Sequence, residues 1–153
     1  MKLFLRYSVF SVLLMYFTGN TKAVDLLCFT NNFNSVQATE PVSDTLYILW
    51  SGSDKEVAIN MIFMYANASL SEKWWDVIVI YIWGPSVMLA ANDKEVIAYL
   101  NELKQKGAKI IACMSCCDKY NITEKLILNN FEVRYVGKEF TSLIKNQKNL
   151  LLF

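Results

Sequence analysis

The chain has 153 residues, 54% of them hydrophobic and 19% charged, with a net charge of +1. That is enough apolar chain to bury the core of one domain, and it excludes disorder for most of the length. Near-neutrality gives no electrostatic footing for nucleic acid or an anionic membrane, and the absence of histidine excludes Ser-His-Asp and Cys-His nucleophiles and every imidazole metal site.

Residues 1–23 read as a secretory signal. Lys2 and Arg6 form a basic start, Ser8 to Phe17 an apolar stretch too short to span a membrane, and Thr21-Lys22-Ala23 a small-residue cleavage pattern. Residues 24–44 lack sustained periodicity and read as a disordered linker to a domain at 45–153. A second reading competes with export. A bacterial GTG start codon is written as valine by in-frame translation, so a chain starting at Val42 would make residues 1–41 upstream sequence. Export implies a periplasmic protein, and a start near Val42 a cytoplasmic one.

From Leu46 onward strands and helices alternate. Leu46 to Trp50 is a short apolar run, hence a buried strand. Ser53 and Glu56 form a capping box ahead of an apolar stripe at Val57, Ala58, Met61, Ile62, Tyr65 and Ala68. Asp76 to Trp83 (DVIVIYIW) is β-branched and aromatic, a strand buried on both faces and ended by Gly84-Pro85. Asn92 and Glu95 repeat the capping pattern before Val96, Ile97, Leu100 and Leu103, and Gly107 closes that helix in a left-handed conformation. Ala108 to Cys113 is a third strand and Thr123 to Leu128 a short helix. Phe131 to Val136 is a fourth strand, a helix runs through Phe140, Leu143 and Ile144, and Asn149 to Phe153 is the last strand. About five strand–helix alternations predict a three-layer α/β/α sandwich on a mostly parallel five-stranded sheet.

In such sheets ligands bind beyond the carboxyl ends of the strands. Those ends read Ser51-Gly52-Ser53, then Gly84-Pro85-Ser86, then Cys113-Met114-Ser115-Cys116-Cys117. The first two loops are candidate pocket walls, with Met114 and Ser115. Neither is a GxGxxG or GxxxxGK[ST] phosphate loop, so no nucleotide cofactor is expected. The cysteines admit several readings. One CxxC without histidine supplies half of a zinc site. A Cys113–Cys116 disulfide requires an oxidising compartment or a redox role. Core filling is the usual fate of buried cysteine and suits Cys28 and Cys117, but it does not account for three thiols in five residues at a strand end. A helix opening after Cys113 would favour its thiolate, the nucleophilic form of sulfur. Asp54, Glu56, Asp93 and Glu95 read as helix-start charges and not as an acid/base pair. Trp74, Trp75 and Asp76 read either as an oligomer contact or as aromatic cover over a helix-to-strand junction.

The stretches LYILW (46–50), WWDVIVIYIWGPS (74–86), LNELKQKGAKIIACMSCCDKYNI (100–122) and FEVRYVGKEFTSLIK (131–145) resemble the DsrE/DsrF-like family, closest to its short bacterial members with an A-C-x-x-C segment. The resemblance covers residues 45–153. It implies a parallel α/β sandwich assembling as a homo-oligomer, trimer or hexamer, and a sulfur carrier in which Cys113 takes a persulfide and passes it between donor and acceptor proteins. Cys116 matches the second cysteine of the subgroup, an auxiliary or resolving thiol, and Cys117 stands where a small residue is usual. Any activity so implied is sulfurtransferase-like, not hydrolytic or nucleotide-dependent, with no cofactor or metal. Asn121 and Asn130 occupy places where glycine is common, and asparagine tolerates the left-handed turn. The alternatives are a non-catalytic oligomeric module binding a small anion or partner peptide, and a CxxC dithiol redox protein.

Overall fold

A computed structural model describes residues 44–153. The signal, the start near Val42, Cys28 and the linker up to position 43 lie outside the described residues. Asp44, assigned above to the linker, is tied into the domain: its carbonyl accepts from the backbone N–H of Asp76 at 2.9 Å.

Five strands form one all-parallel sheet, β1 (Thr45–Trp50), β2 (Val77–Ile82), β3 (Lys109–Cys113), β4 (Glu132–Arg134) and β5 (Leu150–Leu152), in the order β4-β3-β2-β1-β5. The expected five-stranded α/β fold is therefore observed. On β1, Leu46, Ile48 and Trp50 point into the main core while Tyr47 and Leu49 face the other side. The central β2 is buried from Ile78 to Ile82 on both faces.

The larger core lies under α1 (Lys55–Val57), a π-helical segment (Ala58–Phe63), α2 (Met64–Ser71), α3 (Ser86–Asn92), α4 (Lys94–Gln105), α5 (Met114–Lys119) and α6 (Thr123–Leu128). The opposite face carries one helix, α7 (Gly137–Lys145), which packs Phe140 and Leu143 against Val79, Tyr81, Ile111 and Cys113. Handedness accounts for the asymmetry. The chain steps β1→β2→β3→β4 in one direction, so right-handed crossovers put those helices on one face. The return from β4 to β5 runs the other way, and the same hand puts α7 opposite. Among the described residues no helix is long and apolar enough to cross a membrane.

The structure corrects the helix starts and one stripe. The first cap is Asp54, accepting from the Val57 N–H at 3.1 Å, and not Ser53. The next is Asp93, accepting from the Glu95 and Val96 N–H groups at 3.0 and 3.1 Å, and not Asn92. In both places the adjacent carboxylate, an anion suited to the positive end of a helix, takes the cap. Asn92 instead ends α3, a helix the sequence reading left out. The π-helical segment turns the buried face: Ala58, Ile62, Phe63 and Ala66 are inside, whereas Val57 and Met61 of the expected stripe are exposed. A π segment takes more residues per turn, so a stripe drawn at α spacing drifts off the core.

Gly107 ends α4 at φ +101°, and Asn121 and Asn130 hold φ of 54° and 62°, the left-handed turns expected of them. Lys73 and Gln147 also sit at positive φ, 55° and 48°.

Candidate functional site

The chain leaves β3 toward α5 on the main-core face and leaves β4 toward α7 on the other face. Adjacent parallel strands whose loops part in this way leave a crevice at their carboxyl ends. Cys113 is the last residue of β3 and Cys116 lies in the first turn of α5.

The three described thiols are unbridged and have three different surroundings. Cys113 points to the α7 face, among Tyr81, Ile111 and Val136, and is only 3% exposed. Cys117 points the other way into the main core and is fully buried. Cys116 is half-buried on the rim and packs against both cores. Its Sγ accepts the Gly84 backbone N–H at 3.1 Å, across from β2. Gly84 presents that N–H from a turn at φ +64°, a conformation glycine adopts without strain.

Burial raises the Cys116 thiol above its ordinary range, the Gly84 N–H on the sulfur opposes this, and the neighbouring Cys113 thiol adds to it. Burial, reinforced by the other two cysteines, pushes Cys117 up to about 12. Cys117 is therefore a core residue held as the neutral thiol. Cys113 is the N-cap residue of α5, as expected, but its side chain makes no capping hydrogen bond and α5 is a helix of six residues.

The other expected pocket residues have mixed placements. Gly52 and Ser53 are exposed. Ser51 ties the sheet together, its hydroxyl and its backbone N–H both donating to the Phe153 carbonyl at 2.7 Å. Pro85 is exposed and precedes α3. Ser86 is fully buried, and this corrects its place as a pocket wall. Its hydroxyl lies 2.7 Å from the Trp50 carbonyl and 2.8 Å from the Trp83 carbonyl, and accepts the Trp83 N–H at 3.1 Å. It pins the ends of β1 and β2 together. Met114 is half-buried and Ser115 exposed beside the thiols. A cavity of about 330 Å³ opens by the α5–α6 turn, lined by Asp118, Asn121, Thr123 and Glu124. Among the described residues no cluster of three or more Cys, Asp or Glu is placed to hold a metal ion.

Asp54 and Asp93 serve as helix caps, and Lys55 bridges Asp93 and Glu95 at 3.0 and 2.7 Å, so the helix-start charges are used within the fold. Trp75 packs on the main core, its indole N–H donating to the Tyr65 hydroxyl at 3.3 Å, while Trp74 is exposed.

Sequence reasoning missed the polar deck behind Cys113. Arg134 pairs with Cys113 across the β3–β4 ladder. Its guanidinium bonds Glu132 at 2.6 Å and Glu139 of α7. Glu139 also accepts the Tyr81 hydroxyl at 2.6 Å. Burial, then the Glu139 carboxylate, drives the Tyr81 phenol well above its ordinary range. The Arg134 pair, then the Tyr81 hydrogen bond, holds Glu139 below the usual carboxylate range against the effect of burial. Trp83 and Phe140 close the deck, their ring centroids 5.5 Å apart. The period-2 pattern puts Val79, Tyr81 and Trp83 on one face of β2, but only the strand order and α7 bring Cys113, Arg134 and Glu139 to that face.

Fold and site together define a small parallel α/β protein with a strand-end dithiol. The sequence model of the DsrE/DsrF-like family matches residues 46–153, and the chain belongs to that family. It is similar to the solved structure of a conserved protein of unknown function from Bacteroides thetaiotaomicron, with 37% identity over 72% of this chain and 95% of that one, at a TM-score of 0.70. A protein of unknown function from Methanobacterium thermoautotrophicum shares the fold at 12% identity and a TM-score of 0.55, over 71% of this chain and 97% of that one. The search of curated proteins found no match.

Proposed function

We propose that this chain is a sulfur carrier that holds a persulfide on Cys113 and passes it between a donor and an acceptor protein, with Cys116 as the auxiliary thiol. The observation that supports the reading is the contact of two thiols at a strand end, one bearing a backbone N–H donor. Persulfide transfer needs a thiolate and a sulfane sulfur and no imidazole, so it is open to a chain without histidine. The expected homo-oligomer, trimer or hexamer, belongs to this proposal as the unit on which donor and acceptor meet.

The test is mass analysis of the reduced full-length protein after exposure to a small persulfide such as cysteine persulfide. One added sulfur, removed by dithiothreitol and mapped to the 113–116 segment, is the expected result. Doubly substituted Cys113→Ser/Cys116→Ser protein should take none. The same thiol contact favours a second reading, a dithiol redox protein, which would yield a Cys113–Cys116 disulfide and no retained sulfur. Thiols left unmodified by any persulfide would point to a non-catalytic binding module.

A further inference from the structure

A carrier that receives sulfur on a buried cysteine presents a problem of access. Cys113 is 3% exposed and lies under Val136 and the α7 face. The sulfane sulfur of a donor must come within bonding distance and in line with the attacking thiolate. Burial of this degree blocks that approach for a donor residue carried on a protein. Cys116, three residues on, reaches the rim, and its sulfur already carries the Gly84 N–H at 3.1 Å.

From this arrangement we infer that sulfur is taken up first on Cys116 and then handed inward to Cys113, so that Cys116 is the first acceptor and Cys113 the protected store. The inference rests on the sulfur-carrier reading and assigns the order of events within it. In the first step the Cys116 thiolate attacks the outer sulfur of a donor persulfide, R–S–SH. A Cys116 S–S bond forms, the donor S–S bond breaks, and R–S⁻ leaves. In the second step the Cys113 thiolate attacks the outer sulfur of Cys116–S–SH. The product is Cys113–S–SH, and Cys116 departs as a thiolate that takes up the proton Cys113 lost. Neither step consumes an oxidant or a reductant, because the sulfane sulfur keeps its oxidation level throughout.

The Gly84 N–H suits the first role. A backbone donor fixed on Sγ favours the sulfur when it bears negative charge, on attack and again on departure. Cys117 faces the opposite core and takes no part. The arrangement also protects the cargo, since a persulfide on Cys113 is shielded from solvent reductants and one on Cys116 is not.

The experiment follows sulfur uptake from cysteine persulfide over time in the full-length protein, with alkylation and peptide mass analysis at each point. In the wild type the adduct should appear on Cys116 first and accumulate on Cys113. Cys113→Ser should strand the adduct on Cys116 with none passed inward, while Cys116→Ser should load about tenfold more slowly than the wild type or worse. Loading of Cys116→Ser at the wild-type rate, with the adduct on Cys113, overturns the order and leaves the carrier reading intact. A wild-type chain that takes no sulfur overturns both. Iodoacetamide labelling of reduced protein checks access independently of sulfur chemistry: Cys116 should react before Cys113, and the reverse order counts against the inference.

Discussion

Two serines of this domain are fully buried, and their substitution by alanine should move stability in opposite directions. The Ser86 hydroxyl donates toward the Trp50 or Trp83 carbonyl and accepts the Trp83 N–H, so at any moment it makes about two hydrogen bonds. At about 1 kcal/mol net for each bond, Ser86→Ala should cost about 2 kcal/mol. Part of this is recovered because the Trp83 N–H still reaches the Trp50 carbonyl at 2.9 Å. The Ser69 hydroxyl, buried late in α2, has no hydrogen-bond partner. Ser69→Ala removes a desolvated polar group and improves helix propensity by about 0.5 kcal/mol, so it should be neutral or stabilise by about 1 kcal/mol. The two variants should therefore differ by about 1–3 kcal/mol, or on the order of 10 °C in Tm for a domain of this size. Urea unfolding followed by circular dichroism measures the difference, with equal m values as the check on two-state behaviour. If Ser69→Ala destabilises as much as Ser86→Ala, the reasoning from hydrogen-bond satisfaction fails.

Glu139 makes stability depend on pH. Its carboxyl is held low by Arg134 and Tyr81, so its contribution is complete above the ordinary glutamate value of about 4.3 and is lost as pH falls through the lower folded value. Both partners of the ion pair are about a third exposed, 36% and 38%, which keeps the effect below about 1 kcal/mol. Glu139→Gln should flatten the acid limb of the urea midpoint against pH, and an unchanged limb would remove Glu139 from the account. The Cys116 thiol is raised by burial, so its thiolate fraction, and with it the iodoacetamide rate, should still be climbing at about pH 9. A plateau below about pH 8 would contradict this. Gly107→Ala places a side chain at φ +101° and should destabilise by about 1 kcal/mol, although no atom lies within 4 Å of the new Cβ. Gly52→Ala, equally uncrowded and without a left-handed φ, should stay within about 0.5 kcal/mol of wild type, and matching losses at both sites would refute the role of backbone conformation.

The strands were legible because parallel strands buried under helices are written as dense apolar runs, and DVIVIYIW occupies the sheet centre as its composition implies. Thr123–Leu128 and the turns at Gly107, Asn121 and Asn130 were legible for local reasons, in periodicity and in residues that tolerate positive φ. Three features were not. The helix Ser86–Asn92 follows Gly84-Pro85, a pair that reads as a stop, and it lacks the charged face that marks a solvated helix. The π-helical segment altered the period on which the stripe at Val57 and Met61 was drawn. The order β4-β3-β2-β1-β5 is a long-range property, and with it went the deck of Tyr81, Arg134 and Glu139, three residues that only the sheet and α7 bring together. The cysteine cluster was found by its density at a strand end, and core filling was already read for Cys117, but the sequence did not separate the sheltered thiol from the accessible one.

That separation follows from geometry. A strand sends alternate side chains to opposite faces, and a helix started at its end turns them by about 100° per residue. Cys113, the last strand residue, goes to the α7 face, and Cys117, one turn into α5, goes to the opposite core. Cys116 falls between, packed against the edges of both cores but only half-buried, where the Gly84 turn of the next strand reaches its sulfur. Three neighbours in sequence thus acquire a sheltered, an accessible and an inert sulfur, with burial the largest influence on both Cys116 and Cys117. A chain that lacks histidine has few ways to activate a thiol, and here position does most of that selection. On the sulfur-carrier proposal, it sets which sulfur a donor would meet, which one that sulfur would pass to, and which one stays out of the chemistry. The C-x-x-C spacing supplies the contact between the first two, and the strand-to-helix junction supplies the difference between them.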